Sequence, residues 1–153
     1  MGKASVNAQR GRLYLLAKLP CKNGDGWKAQ RIPTGEADLV LGCDMLTAGA
    51  PDAIAKMRPG RSYALVNTFE QPTGHFAQDP DWTFPAGQVR ALIEESVAGK
   101  ADFIDATGLA TRLMGDAIAA NLFLLGFAFQ KGYVPLSSAA LLRAIAARPE
   151  FAT

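Results

Sequence analysis

The chain has 153 residues, 49% of them hydrophobic and 20% charged, with a net charge of +2. That length suits one domain, which buries about 70% of the surface its unfolded chain exposes. Lys and Arg are scattered, which argues against a nucleic-acid or anionic-membrane partner, and two cysteines make neither a metal cluster nor a disulfide framework.

Residues 1–11 are polar and contain glycine. They read as a loose arm ahead of a single domain over 12–153. The apolar run after this basic segment, LYLLAKL, is too short for a signal peptide, so a cytoplasmic location is expected. Leu13 to Leu19 reads as a strand. Asn23-Gly24 and Asp25-Gly26 are turn dipeptides, so Trp27 to Ile32 is expected to return as the second strand of a hairpin. The same residues spell Gly24-x-Gly26-x-x-Ala29, but a dinucleotide loop needs a buried strand before it and a helix after it. Neither context is present.

Asp38 to Cys43 is a short apolar run, which suits a strand covered on both faces. Pro51 opens a helix expected to reach about Met57, and Pro59-Gly60 stops it. Ser62 to Val66 is a second buried strand. Strand, helix and strand in about 30 residues make a βαβ unit with parallel pairing. Residues 67–85 form the longest irregular stretch, and such loops are usually functional or mobile. Ala86 to Ala98 is an amphipathic helix with Val89, Leu92, Ile93 and Val97 on one face. Ala101 to Ile104 is a third short strand, and Thr107 to Met114 a short helix. Gly115 to Gln130 reads as one helix in which Asn121 is the only polar side chain between Asp116 and Gln130, the pattern of a helix buried on all sides. About 14 residues is short of the roughly 20 that span a bilayer. Ala139 to Ala147 reads as a last helix. The alternation is that of an α/β fold with three layers, α/β/α, and a mostly parallel sheet.

Few residues suggest chemistry. His75 is the only histidine. It could act as a general base oriented by Asp79 or Asp81, although a solvated loop histidine is the commoner situation. Cys43 could be a nucleophile, but small apolar positions beside buried strands are ordinary cysteine sites. Gly42, Asp44, Asn67, Thr68, Asp105 and Thr107 cluster at the carboxyl ends of the parallel strands, the rim where open α/β sheets bind ligands. The competing role for the Asp, Asn and Thr residues is capping of helices and turns. Asn121 reads as a satisfied buried amide at an interface. Trp82 and Phe84 read as a partner-binding patch or as the long loop's own small core. Neither a carboxylate pair nor a metal-ligand spacing stands out, so no catalytic residue and no metal ligand is assigned.

Three stretches together carry a family likeness: RIPTGEADLVLGCDMLTA (Arg31 to Ala48), LVNTFEQPTGHFAQDPDWTFP (Leu65 to Pro85) and DFIDATGLATRLMGDAIAANLFLLGFAFQKGYVPLS (Asp102 to Ser137). They resemble the gamma-type domain of 2-oxoacid:ferredoxin oxidoreductases, nearest the indolepyruvate branch, from about Arg31 to Ala147. The resemblance implies a component of an enzyme that oxidatively decarboxylates a 2-oxoacid to an acyl-coenzyme A with ferredoxin as acceptor. Thiamine diphosphate, Mg and iron–sulfur clusters would sit in partner domains or subunits, and this domain would help present coenzyme A. With those cofactors elsewhere, the isolated chain is expected to be inactive. The family's N-terminal strand and glycine-rich loop have no counterpart here, which argues against coenzyme A binding by this chain alone. The alternative is a non-catalytic oligomerisation or interaction module derived from the same fold. Alone, the chain is expected to form a homo-oligomer, with part of the 115–130 helix or the sheet beside it covered by another copy.

Overall fold

In a computed structural model of the chain, residues 3–9, 12–18, 32–69 and 85–146 are described. Among these residues five strands form one sheet in the order β1 (Lys3–Gln9), β2 (Arg12–Lys18), β3 (Leu39–Gly42), β4 (Tyr63–Asn67) and β5 (Ala101–Ile104). β3, β4 and β5 are parallel neighbours, with Val40 opposite Ala64 and Val66 opposite Phe103. β1 and β2 form an antiparallel hairpin, and β2 joins β3 antiparallel, Leu16 opposite Val40.

The hairpin corrects one expectation. The strand at Leu13 to Leu19 is present as β2, but its partner is Lys3–Gln9, within the segment read as a loose arm. The expected return strand at Trp27 to Ile32 lies outside the described residues, apart from the buried Ile32. The turn dipeptides are a local signal. Strand pairing is decided by which neighbour completes the sheet, and β2 here is held between β1 and β3.

The alternation of side chains on β3 to β5 gives the sheet two apolar faces. Val40, Ala64 and Val66 pack with Met45, Ala48, Met57, Ile93 and Val97 on one face. Leu39, Leu41 and Leu65 pack with Ala106, Leu124 and Ala128 on the other. The first face is covered by α1 (Met45–Ala48), α2 (Pro51–Ile54) and α3 (Ala86–Ser96). The second is covered by α4 (Ala106–Met114) and α5 (Ala120–Gln130), and α6 (Ser138–Ala146) follows. The molecule is therefore an α/β protein with helices on both sides of its parallel strands. None of the helices described is long and apolar enough to cross a membrane.

Local chemistry sets the boundaries. The helix read from Pro51 to Met57 is shorter, with Pro51 at its first position, and α1 precedes it. Ser62 fixes the return into β4: its buried hydroxyl donates to the Ala37 carbonyl at 2.6 Å and accepts from the Arg58 N–H at 2.8 Å. Gly115 ends α4 in the left-handed conformation (φ 79°) that glycine adopts without strain. Asp116 then accepts from the Ile118 N–H at the 3₁₀ turn Ala117–Ala119, which leads into α5.

α5 is not buried on all sides. Only the stripe Ala120, Leu124 and Ala128 is fully covered, at the i, i+4, i+8 spacing of one helix face. Leu122, Phe123, Leu125, Phe127 and Phe129 are half-buried, and Asn121 is exposed rather than a buried amide. The physical reason is area: the parallel part of the sheet is three short strands wide and offers α5 one contact face. The far end of the helix is held by Tyr133. Its ring stacks on Tyr63 with centroids 4.7 Å apart, and its hydroxyl donates to Asp102 at 3.0 Å. Lys131 pairs with the same carboxylate at 3.3 Å.

Candidate functional site

The carboxyl ends of β3, β4 and β5 meet at one side chain. Asn67, the last residue of β4, is only 4% exposed. Its amide nitrogen donates to the Cys43 carbonyl just past β3 (3.2 Å) and to the Thr107 hydroxyl in the first turn of α4 (2.9 Å). Its amide oxygen accepts from the Ala106 N–H at 3.0 Å and the Phe69 N–H at 3.3 Å. A single buried amide thus joins three consecutive strand ends and the start of a helix, and its donor and acceptor capacity is used.

Two carboxylates flank it. Asp44 caps α1, accepting from the Thr47 N–H at 3.0 Å. Asp105 caps α4, accepting from the Gly108 N–H at 2.7 Å. Both are placed where a carboxylate complements the helix N-terminus. The rim candidates Gly42, Asp44, Asn67, Thr68, Asp105 and Thr107 all stand at this end of the sheet, and the Thr68 N–H donates to the Ile104 carbonyl at 2.9 Å, continuing the β4–β5 pairing.

Two glycines shape the rim. A Cβ on Gly42 would lie 2.6 Å from the Ala48 Cβ and 3.2 Å from both Val66 methyl groups. Gly42 therefore lets α1 close on the sheet. A Cβ on Gly108 would lie 2.1 Å from Asp105 Oδ2, so the Asp105 cap requires glycine there.

Cys43 is half-buried on the α5 side of the sheet. Burial, reinforced by the neighbouring Asp44 carboxylate, pushes its thiol up to about 11. A thiol in that setting is a poor nucleophile near neutral pH. Thr47 Oγ is the one buried side-chain polar atom without a partner among the described residues.

The sequence reading did not single out the bonds that Asn67 makes to Cys43 and Thr107, or the Tyr63–Tyr133–Asp102–Lys131 group. Residue type marks Asn67 as a rim candidate, but its partners come from three separate segments. His75, Trp82 and Phe84 lie outside the described residues. Asn121 is remote from the rim in sequence and contributes nothing to its bonding among the described residues.

The fold and rim define an α/β domain whose strand ends are rigidly joined at the customary ligand-facing side of the sheet. No family model, curated protein or solved structure matches the chain.

Proposed function

We propose that this chain is a component domain of an indolepyruvate-type 2-oxoacid:ferredoxin oxidoreductase, with a structural and coenzyme A-presenting role and no catalysis of its own. Thiamine diphosphate, Mg and the iron–sulfur clusters belong to partner domains or subunits in this reading, and ferredoxin takes the electrons. One observation supports it above the others. The segments that carry the sequence likeness, LGCD, LVNT and FIDATG, end the three parallel strands in turn, and Asn67 bonds all three ends together. A rim that is tied in this way and whose carboxylates cap helices suits positioning rather than acid–base chemistry.

The test is reconstitution. The purified chain should give no 2-oxoacid-dependent dye reduction in the presence of coenzyme A. Thiamine-binding and ferredoxin-like subunits should reduce the dye only when the chain is added. Activity from the chain alone, or full activity of the other subunits without it, refutes the proposal.

A second reading, a non-catalytic interaction module, is favoured by the exposed apolar residues Leu113, Met114 and Ile118. A chain that assembles stably and ignores thiamine-enzyme subunits in a pull-down would select it.

A further inference from the structure

Leu113 and Met114 end α4, and Ile118 lies in the 3₁₀ turn that follows. They are 71%, 60% and 71% exposed, and every residue from Thr111 to Ile118 is exposed. Ala106 and Ala110, earlier on α4, are fully buried, and Leu113 and Met114 continue the same helical stripe past the covered part of the helix. The end of α4 and the turn after it thus present three large apolar side chains to solvent, an exposed shoulder where the buried stripe runs out. Together they offer roughly 350 Å² of apolar surface, within the range that marks functional patches on monomers.

Two charges border the shoulder. Arg112 is exposed and has no ion pair among the described residues. Asp116 is exposed, and its carboxylate accepts from the Ile118 N–H. One cation and one anion thus flank an apolar centre. That arrangement is self-complementary: about a two-fold axis, each copy's Arg112 meets the other's Asp116 while the apolar side chains meet across the axis. A standard interface buries about 800 Å² per partner, of which roughly 450–500 Å² is apolar. The shoulder supplies most of that apolar share.

We propose that this shoulder is a two-fold interface with a second copy of the chain, centred on Leu113, Met114 and Ile118 and bordered by reciprocal Arg112–Asp116 pairs. It stands independently of the enzyme-component reading. The test is sedimentation equilibrium of the full chain over a wide concentration range, with circular dichroism melts to check that each variant is folded. The wild type is expected to dimerise. Leu113→Lys and Ile118→Lys each weaken the dimer by about tenfold or more. Arg112→Asp weakens it less and makes it less salt-sensitive, and Arg112→Asp with Asp116→Arg recovers the affinity. A monomer at all concentrations overturns the proposal, as does a dimer that Ile118→Lys leaves unchanged. A double reversal without recovery overturns the two-fold arrangement. A monomer whose Ile118→Lys variant loses the restored dye reduction assigns the shoulder to another protein and also overturns the proposal.

Discussion

Asn67→Ala is the most informative single substitution. It removes two donated bonds, to the Cys43 carbonyl and the Thr107 hydroxyl, and strips the acceptor from the Ala106 and Phe69 N–H groups. Ala106 is 0% exposed, so its N–H would be left buried and unpaired. A neutral hydrogen bond contributes about 1 kcal/mol net, and a buried unsatisfied donor costs about 1–3 kcal/mol. The expected loss is about 3–5 kcal/mol, a large part of the roughly 5–15 kcal/mol that holds a domain folded. With a urea dependence of about 1–3 kcal/mol per molar, the unfolding midpoint should fall by roughly 2 M. Urea titration followed by far-ultraviolet circular dichroism measures this directly. Thr107→Ala completes a double-mutant cycle, with an expected coupling of about 1 kcal/mol to Asn67. A loss below about 1 kcal/mol for Asn67→Ala would refute the claim that this amide joins the strand ends.

Other perturbations discriminate equally well. Gly108→Ala forces a Cβ against the Asp105 carboxylate and should cost about 1–2 kcal/mol through the lost cap. Gly126→Ala, inside α5 with open space around the added methyl, should instead stabilise by about 0.5–1 kcal/mol in the same unfolding assay. In a Cys21→Ser background, Cys43 alkylation should be slow near neutral pH and rise about tenfold per pH unit toward its raised value of about 11. The folded thiol holds its proton more tightly than the unfolded one. Its contribution to stability is therefore full below pH 9.0 and is lost as pH climbs toward about 11. An alkylation rate already at its plateau at neutral pH would show that Cys43 is not shielded as described.

The parallel core was legible because its signals are local. DLVLGC, SYALV and ADFI are short apolar runs bounded by turns, and they match β3, β4 and β5 within a residue or so at either end. The rim followed, since polar residues at the ends of such runs must lie at one side of a parallel sheet. The hairpin partner was not legible, because choosing between Lys3–Gln9 and Trp27 to Ile32 depends on long-range pairing rather than on turn dipeptides. The burial of α5 was misjudged for a related reason. Hydropathy states what a helix tolerates, while the width of the sheet decides how much of it is covered: Leu124 and Ala128 are buried in the cluster with the sheet, and Ala120 is buried against Ala110 and Ala119. The Asn67 bonds could not be read because Cys43 and Thr107 are 24 and 40 residues away in the chain.

Among the described residues β5 is the last strand of its sheet, and this shapes how copies of the chain can meet. A bare terminal strand is a template on which another chain can add a strand, the usual beginning of uncontrolled aggregation. Here the strand is four residues long and guarded on each face by a cation. The Arg90 guanidinium lies 4.4 Å from the Phe103 ring centre on the α3 side, and Lys131 pairs with Asp102 on the α5 side. An incoming strand would have to displace charges from both directions for a short run of backbone bonds. Growth by sheet extension is thereby discouraged at β5, and contacts made by helix surfaces are left as the orderly way for this protein to associate.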